Sequence, residues 1–114
     1  MGKISNGISG KLSKKPMPVV IRRIVNNRFE NHSEVAADSL DLRTQIEALE
    51  EWMHVNGRSL DPNHEWVADV GFVLRADATG GGPPLTKKLM HACLNTNLEI
   101  YLSEYGVVSN LNAE

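Results

Sequence analysis

Apolar side chains recur along the chain with the spacing of helices more often than with that of strands. Leu42, Ile46, Leu49 and Met53 fall at i, i+4, i+7 and i+11 with Trp52 beside them, while Glu47, Glu50 and Glu51 take the other faces. This is the pattern of an amphipathic helix with one side in a core. Val35 and Ser39 continue the stripe backwards, which would start the helix near Ser33; Asp41, or Thr44 with Glu47 three residues on, would cap a later start. Asn56-Gly57 then supplies a left-handed C-terminal cap.

A second wide apolar face follows the glycine-proline stretch at 78–84. Leu85, Leu89, Ala92, Cys93, Thr96 and Ile100 make one stripe, and Leu94, Leu98, Tyr101, Leu102 and Tyr105 a neighbouring one. The spacing predicts one long helix, closed at Tyr105-Gly106 by a glycine cap.

Two further segments carry both periodicities. In 18–29, Val20/Ile24 and Ile21/Val25/Phe29 stand at helical spacing behind Pro18, although the β-branched residues favour a strand. In 64–76, Trp66, Val70, Val73 and Leu74 suit a helix begun by Asp61-Pro62, but Trp66, Ala68, Val70, Phe72 and Leu74 alternate like a strand and Gly71 weakens a helix. Helix is the reading adopted for both. The expected fold is therefore mainly α, a compact bundle of three to four helices, with an α+β alternative in which 18–29 or 64–76 is a short strand.

Residues 1–17 hold three glycines, several serines, four lysines and the Pro16-Met17-Pro18 stop. They have too little apolar surface to offset the entropy of ordering, so the sequence divides into a disordered basic arm, 1–17, and one domain, 18–114. The 114-residue length suits a single core without disulfides or metal. Cys93 is the only cysteine, no apolar run reaches the roughly 18 residues of a membrane span, and no secretory leader is evident. These features predict a cytoplasmic protein without a membrane partner. Met1-Gly2 resembles a myristoylation start, but Asn6 occupies the position that wants Ser or Thr.

Charge changes this picture from one of fold to one of partners. The net formal charge is −2, yet residues 1–30 carry seven Lys or Arg against Glu30 alone, a net of +6, and residues 31–114 sum to −8. Between Glu34 and Asp77 ten acids face three arginines. Such asymmetry governs association rather than fold.

Candidate chemistry is sparse. Glu51-Trp52-Met53-His54 is a Glu-x-x-His on one helical face, but di-iron bundles need a second copy and two more glutamates, and His32, His54, His64 and His91 are scattered. His54 is better placed as a last-turn residue at a helix C-terminus. His91 and Cys93 diverge on a helix, and Cys93 sits on an apolar stripe as a structural thiol would. Gly80-Gly81-Gly82 before Thr86-Lys87-Lys88 resembles a phosphate cradle, but Pro83 and Pro84 remove two of the N–H groups that would hold the anion. A helix-turn-helix over 33–53 would turn Glu47, Glu50 and Glu51 towards phosphates, which repel them.

No cofactor, metal or catalytic residue is expected. The function that fits is a non-enzymatic interaction protein, a small regulator, adaptor or inhibitor, whose acidic helical surface (Glu47, Glu50, Glu51, Asp61, Glu65, Asp69) docks on a basic protein partner. The alternative is a nucleic-acid-binding accessory protein that contacts phosphates through Lys11, Lys14, Lys15, Arg22, Arg23 and Arg28 and uses its helical body for dimerisation.

Overall fold

In the computed structural model, which describes residues 19–35 and 39–106, the chain forms β1 (Val19–Val25), β2 (Arg28–Val35), α1 (Leu42–Asn56), a 3-10 turn (Gly57–Ser59), β3 (Glu65–Val73), α2 (Lys87–Thr96) and β4 (Leu98–Tyr105). The basic arm lies outside the described residues. The strands make one mixed sheet in the order β2-β1-β3-β4. The described residues thus make an α+β fold with two helices, and the expected bundle of three to four helices is overturned.

Residues 19–35 form a hairpin where a helix was expected over 18–29. β1 pairs antiparallel with β2 from Val19↔Val35 to Val25↔Arg28, leaving a two-residue loop at Asn26 and Asn27. Both asparagines have positive φ, 54° and 64°, the primed-turn geometry whose twist matches that of paired strands and which Asn tolerates better than other side chains. Val19, Val20 and Ile21 are all buried, so β-branched packing decides for strand over the helical coincidence of Val20 with Ile24.

Segment 64–76 is not a helix either. Glu65–Val73 forms β3, antiparallel to β1 and parallel to β4, and so lies inside the sheet. Asp61-Pro62 makes a turn into this strand instead of a helix start: the Asp61 carboxylate accepts from Asn63 N at 2.9 Å and its carbonyl from His64 N at 3.0 Å.

The long helix expected over 85–105 breaks at Asn97. α2 ends with Asn97 in the left-handed conformation (φ 60°, ψ 48°), its N–H closing on the carbonyls of Cys93 and Leu94. This one residue reverses the chain into β4. Asn97 O accepts from Trp66 N at 3.0 Å, and its side-chain amide donates to His64 O at 2.8 Å. The carboxamide and the left-handed backbone together turn what periodicity reads as a continuing helix into a strand start. Gly106 follows a strand and caps no helix.

α1 is where the sequence places it, starting at the later of the two candidate points because β2 runs on to Val35. Asp41 is the N-cap, its carboxylate accepting from Thr44 N and Thr44 Oγ1, each at 3.0 Å. The C-terminal cap differs from expectation: Gly57 is right-handed (φ −58°), bonds Met53 O and leads into the 3-10 turn.

Both helices pack on one face of the sheet, α1 against β3 and β2, α2 against β4 and α1. Ile46, Leu49 and Met53 of α1 and Leu89 and Cys93 of α2 meet Val19, Ile21, Val35, Trp66, Ala68, Val70 and Leu98 in one core. Complete burial of a side chain such as Leu49 or Leu89 stabilises the fold by about 1.5–3 kcal/mol. The Trp66 indole N–H is satisfied by Asp61 O at 2.8 Å. No helix among the described residues is long and apolar enough to cross a membrane.

Candidate functional site

The two helices are joined at their outer surface by a hydrogen bond. Thr86, the N-cap of α2, accepts from Leu89 N and donates from its hydroxyl to Glu50 Oε1 of α1, both at 3.0 Å. Below this link the helices diverge around a groove of about 530 Å³. Met53, Leu60, Leu89 and Ala92 form its apolar floor, and Glu50, His54, Arg58, Lys88, His91 and Asn95 its rim. Beside it a smaller hollow of about 240 Å³ is lined by Glu47, Glu50, Glu51 and Lys88. Glu50 and Lys88 border both, so groove and acidic patch are one continuous surface on the helical layer.

Only part of the sequence-predicted acidic set gathers there. Glu47 and Glu51, one turn apart, are exposed on α1, and Glu50 is half-buried by its bond to Thr86. Asp61 is exposed in the turn before β3, 3.6 Å from His64 Nε2. Glu65 and Asp69 alternate with the core residues Trp66, Ala68 and Val70 and therefore project from the opposite face of the sheet. Six acids expected on one surface lie on two faces and a turn.

The face of the sheet away from the helices carries a polar row crossing all four strands. Arg22 of β1 pairs with Asp69 of β3 and donates from Nε to Asn31 Oδ1 of β2 at 2.9 Å. Asp69 also accepts from the Ser103 hydroxyl of β4. Above the row, Phe29 from β2 and Tyr101 from β4 meet edge to face, ring centres 6.2 Å apart, so the outer strands curl towards each other over the inner two. Asn31 and Ser103 went unremarked in the sequence, and apolar spacing puts Phe29 and Tyr101 in helical stripes; the strand assignment puts all four on this face.

The basic set is divided as well. Lys11, Lys14 and Lys15 lie outside the described residues. Arg22 is engaged as above, Arg23 is half-buried with its Nε unpartnered among the described residues, and Arg28 is exposed beside the hairpin loop.

Among the described residues no three His, Cys, Asp or Glu side chains converge as metal ligands. Burial raises the Cys93 thiol above its ordinary pKa, which disfavours the nucleophilic thiolate. His32 Nδ1 meets its neighbour Ser33 Oγ at 2.8 Å, but on an exposed strand with the ring packed edge-on against Trp66. The glycine loop turns carbonyls inward: Arg43 Nη2 donates to Gly81 O at 3.2 Å, the opposite polarity from an anion cradle.

Fold and site together define an α+β protein with a four-stranded mixed sheet, two helices on one face and an acid-flanked groove between them. Comparisons with protein families, curated proteins and solved structures found no match to this chain.

Proposed function

We propose that the protein is a non-enzymatic interaction protein of the cytoplasm, a small regulator, adaptor or inhibitor, that binds a protein partner on its helical layer through the acidic side of α1. The observation that carries this reading is the state of Glu47 and Glu51. They are exposed, one turn apart and without an ion pair among the described residues, on a helix whose other side is fixed in the core by Ile46, Leu49 and Met53. A rigid element presenting unpaired carboxylates steers and orients a basic partner without losing side-chain or backbone freedom elsewhere. The adjoining apolar groove offers a seat for one anchoring side chain of that partner. A lone cysteine kept as a buried free thiol supports the cytoplasmic assignment.

Affinity purification with the full chain, repeated with Glu47→Lys/Glu51→Lys, tests this. The native chain is expected to retain a partner that the charge-reversed chain loses, and added salt should weaken retention. Recovery of no partner, or equal recovery by both chains, refutes the reading.

A further inference from the structure

The sheet has two outer edges, and they are built differently. Along β2 the register slips between Ile21 and Arg22, which face Ser33 and Asn31, so that His32 is an unpaired bulge residue. Arg28, Glu30 and Glu34 are exposed on the same strand. Bulges and charges are the devices that keep an edge from accepting another strand. β4 lacks them. Its eight residues contain no proline, glycine, lysine or arginine and run in unbroken register from Trp66↔Leu98 to Val73↔Tyr105.

The phase of the ladder shows which groups β4 leaves open. Trp66 N donates to Asn97 O, and in a parallel pair alternate residues of a strand turn their backbone groups towards the neighbour. Glu99, Tyr101 and Ser103 therefore bond β3. Leu98, Ile100, Leu102 and Glu104 turn N–H and C=O outward, where no described residue pairs with them. Apolar surface borders this edge. Leu102 is 53% exposed and Leu94 of α2 is 79% exposed, with Met90 one turn before Leu94 on the side of α2 away from the groove-lining Lys88, His91 and Asn95.

We propose that β4 pairs antiparallel with β4 of a second copy, continuing the sheet across a two-fold axis. This inference is independent of the partner proposed for α1, which lies on another surface.

The sequence of β4 suits itself as a partner. Opposed residues in an antiparallel pair project to the same face, so Glu99 and Glu104, which project to opposite faces, are never set against each other. With the axis at Tyr101, Ile100 faces Leu102 of the second copy, Glu99 faces Ser103 and Leu98 faces Glu104. Residues with outward backbone groups then meet their like, each pair exchanging two hydrogen bonds. The aliphatic pairs fall on the helix side beside Leu94 and Met90, and no like charges are opposed.

Size sets the strength. Eight residues at about 3.3 Å each make an edge about 26 Å long, and layers spaced about 10 Å give it a height of about 20 Å. Each copy would contribute about 500 Å², or about 1,000 Å² in all, the lower bound for a specific interface. The dimer is therefore reversible and concentration-dependent, not obligate.

Sedimentation of the full chain from low to high micromolar concentration tests the proposal. The weight-average mass should rise from one chain and level at two, and Leu102→Lys should weaken self-association by at least about tenfold. Native protein supplies a second readout that needs no variant: amide exchange at Ile100 and Leu102 should slow as concentration rises while exchange in β2 does not change. A single-chain mass at every concentration overturns the proposal. So does a dimer that survives Leu102→Lys with exchange at Ile100 and Leu102 unchanged.

Discussion

One face of the sheet is an aliphatic floor for two helices, while the other holds an ion pair, two polar partners and an aromatic contact across its width. The same four strands build both. On the helix side stability comes from excluded water and close packing, which is non-directional and large. On the far side Val20 and Val67 are buried too, but the contacts that cross the strands there are directional bonds between groups that water also satisfies, whose net contribution is smaller. The helix side therefore supplies the rigidity that the proposed docking surface on α1 requires, and the far side helps fix how the strands align.

The strongest test of that contrast is a cavity in the floor. Leu89→Ala, at a fully buried site, is expected to cost about 2–5 kcal/mol in denaturant unfolding. Asp69→Ala on the far face should cost less, about 1–3 kcal/mol, because both partners of the pair retain access to solvent. A cost for Asp69→Ala that equals the Leu89→Ala cost would reverse the assignment of the two faces.

A smaller effect distinguishes the helix layer by pH. The N–H and hydroxyl of Thr44 hold the Asp41 carboxyl below its ordinary range. A folded-state pKa below the unfolded one gives stability that is full above the unfolded value of about 3.9 and is lost as pH falls through the lower folded value. Asp41→Ala should remove about 0.5–2 kcal/mol at neutral pH and flatten this acid limb, which thermal unfolding across the acid range would register. Smallest is the aromatic contact. A double-mutant cycle of Phe29→Ala and Tyr101→Ala is expected to return a coupling of about 0.5–1.5 kcal/mol; zero coupling would mean that the curl of the outer strands does not depend on it.

The same contrast explains what the sequence discloses. α1 is legible because only one of its sides is buried, so the apolar stripe Leu42, Ile46, Leu49, Met53 stands out against Glu47 and Glu51. β1 and β3 are obscured because both of their faces are largely covered. Val19, Val20 and Ile21, and Trp66, Val67 and Ala68, are consecutive buried residues in which the period of two disappears. Punctuation carried the missing information. Asn26-Asn27 after the β-branched run of β1 is a two-residue hairpin loop, and Asn97 is a helix stop, but the adopted reading followed apolar spacing through both.

The acidic site was legible only within α1, since Glu47, Glu50 and Glu51 share one helix. Uniting Glu65 and Asp69 with them required β3 to be a helix. As a strand, β3 sends its acids to the far face, where Asp69 answers Arg22 instead of a partner.

Cys93 is the chain's sole thiol, sunk beneath α2 in the core, and burial raises its pKa. A thiol reagent added to the folded protein must wait for α2 to lift from the sheet before a thiolate forms within its reach. When reclosing outpaces alkylation, the labelling rate divided by that of the unfolded chain is the opening equilibrium constant of this one helix. The molecule thus contains its own gauge of local unfolding, placed beside both the groove and the β4 edge.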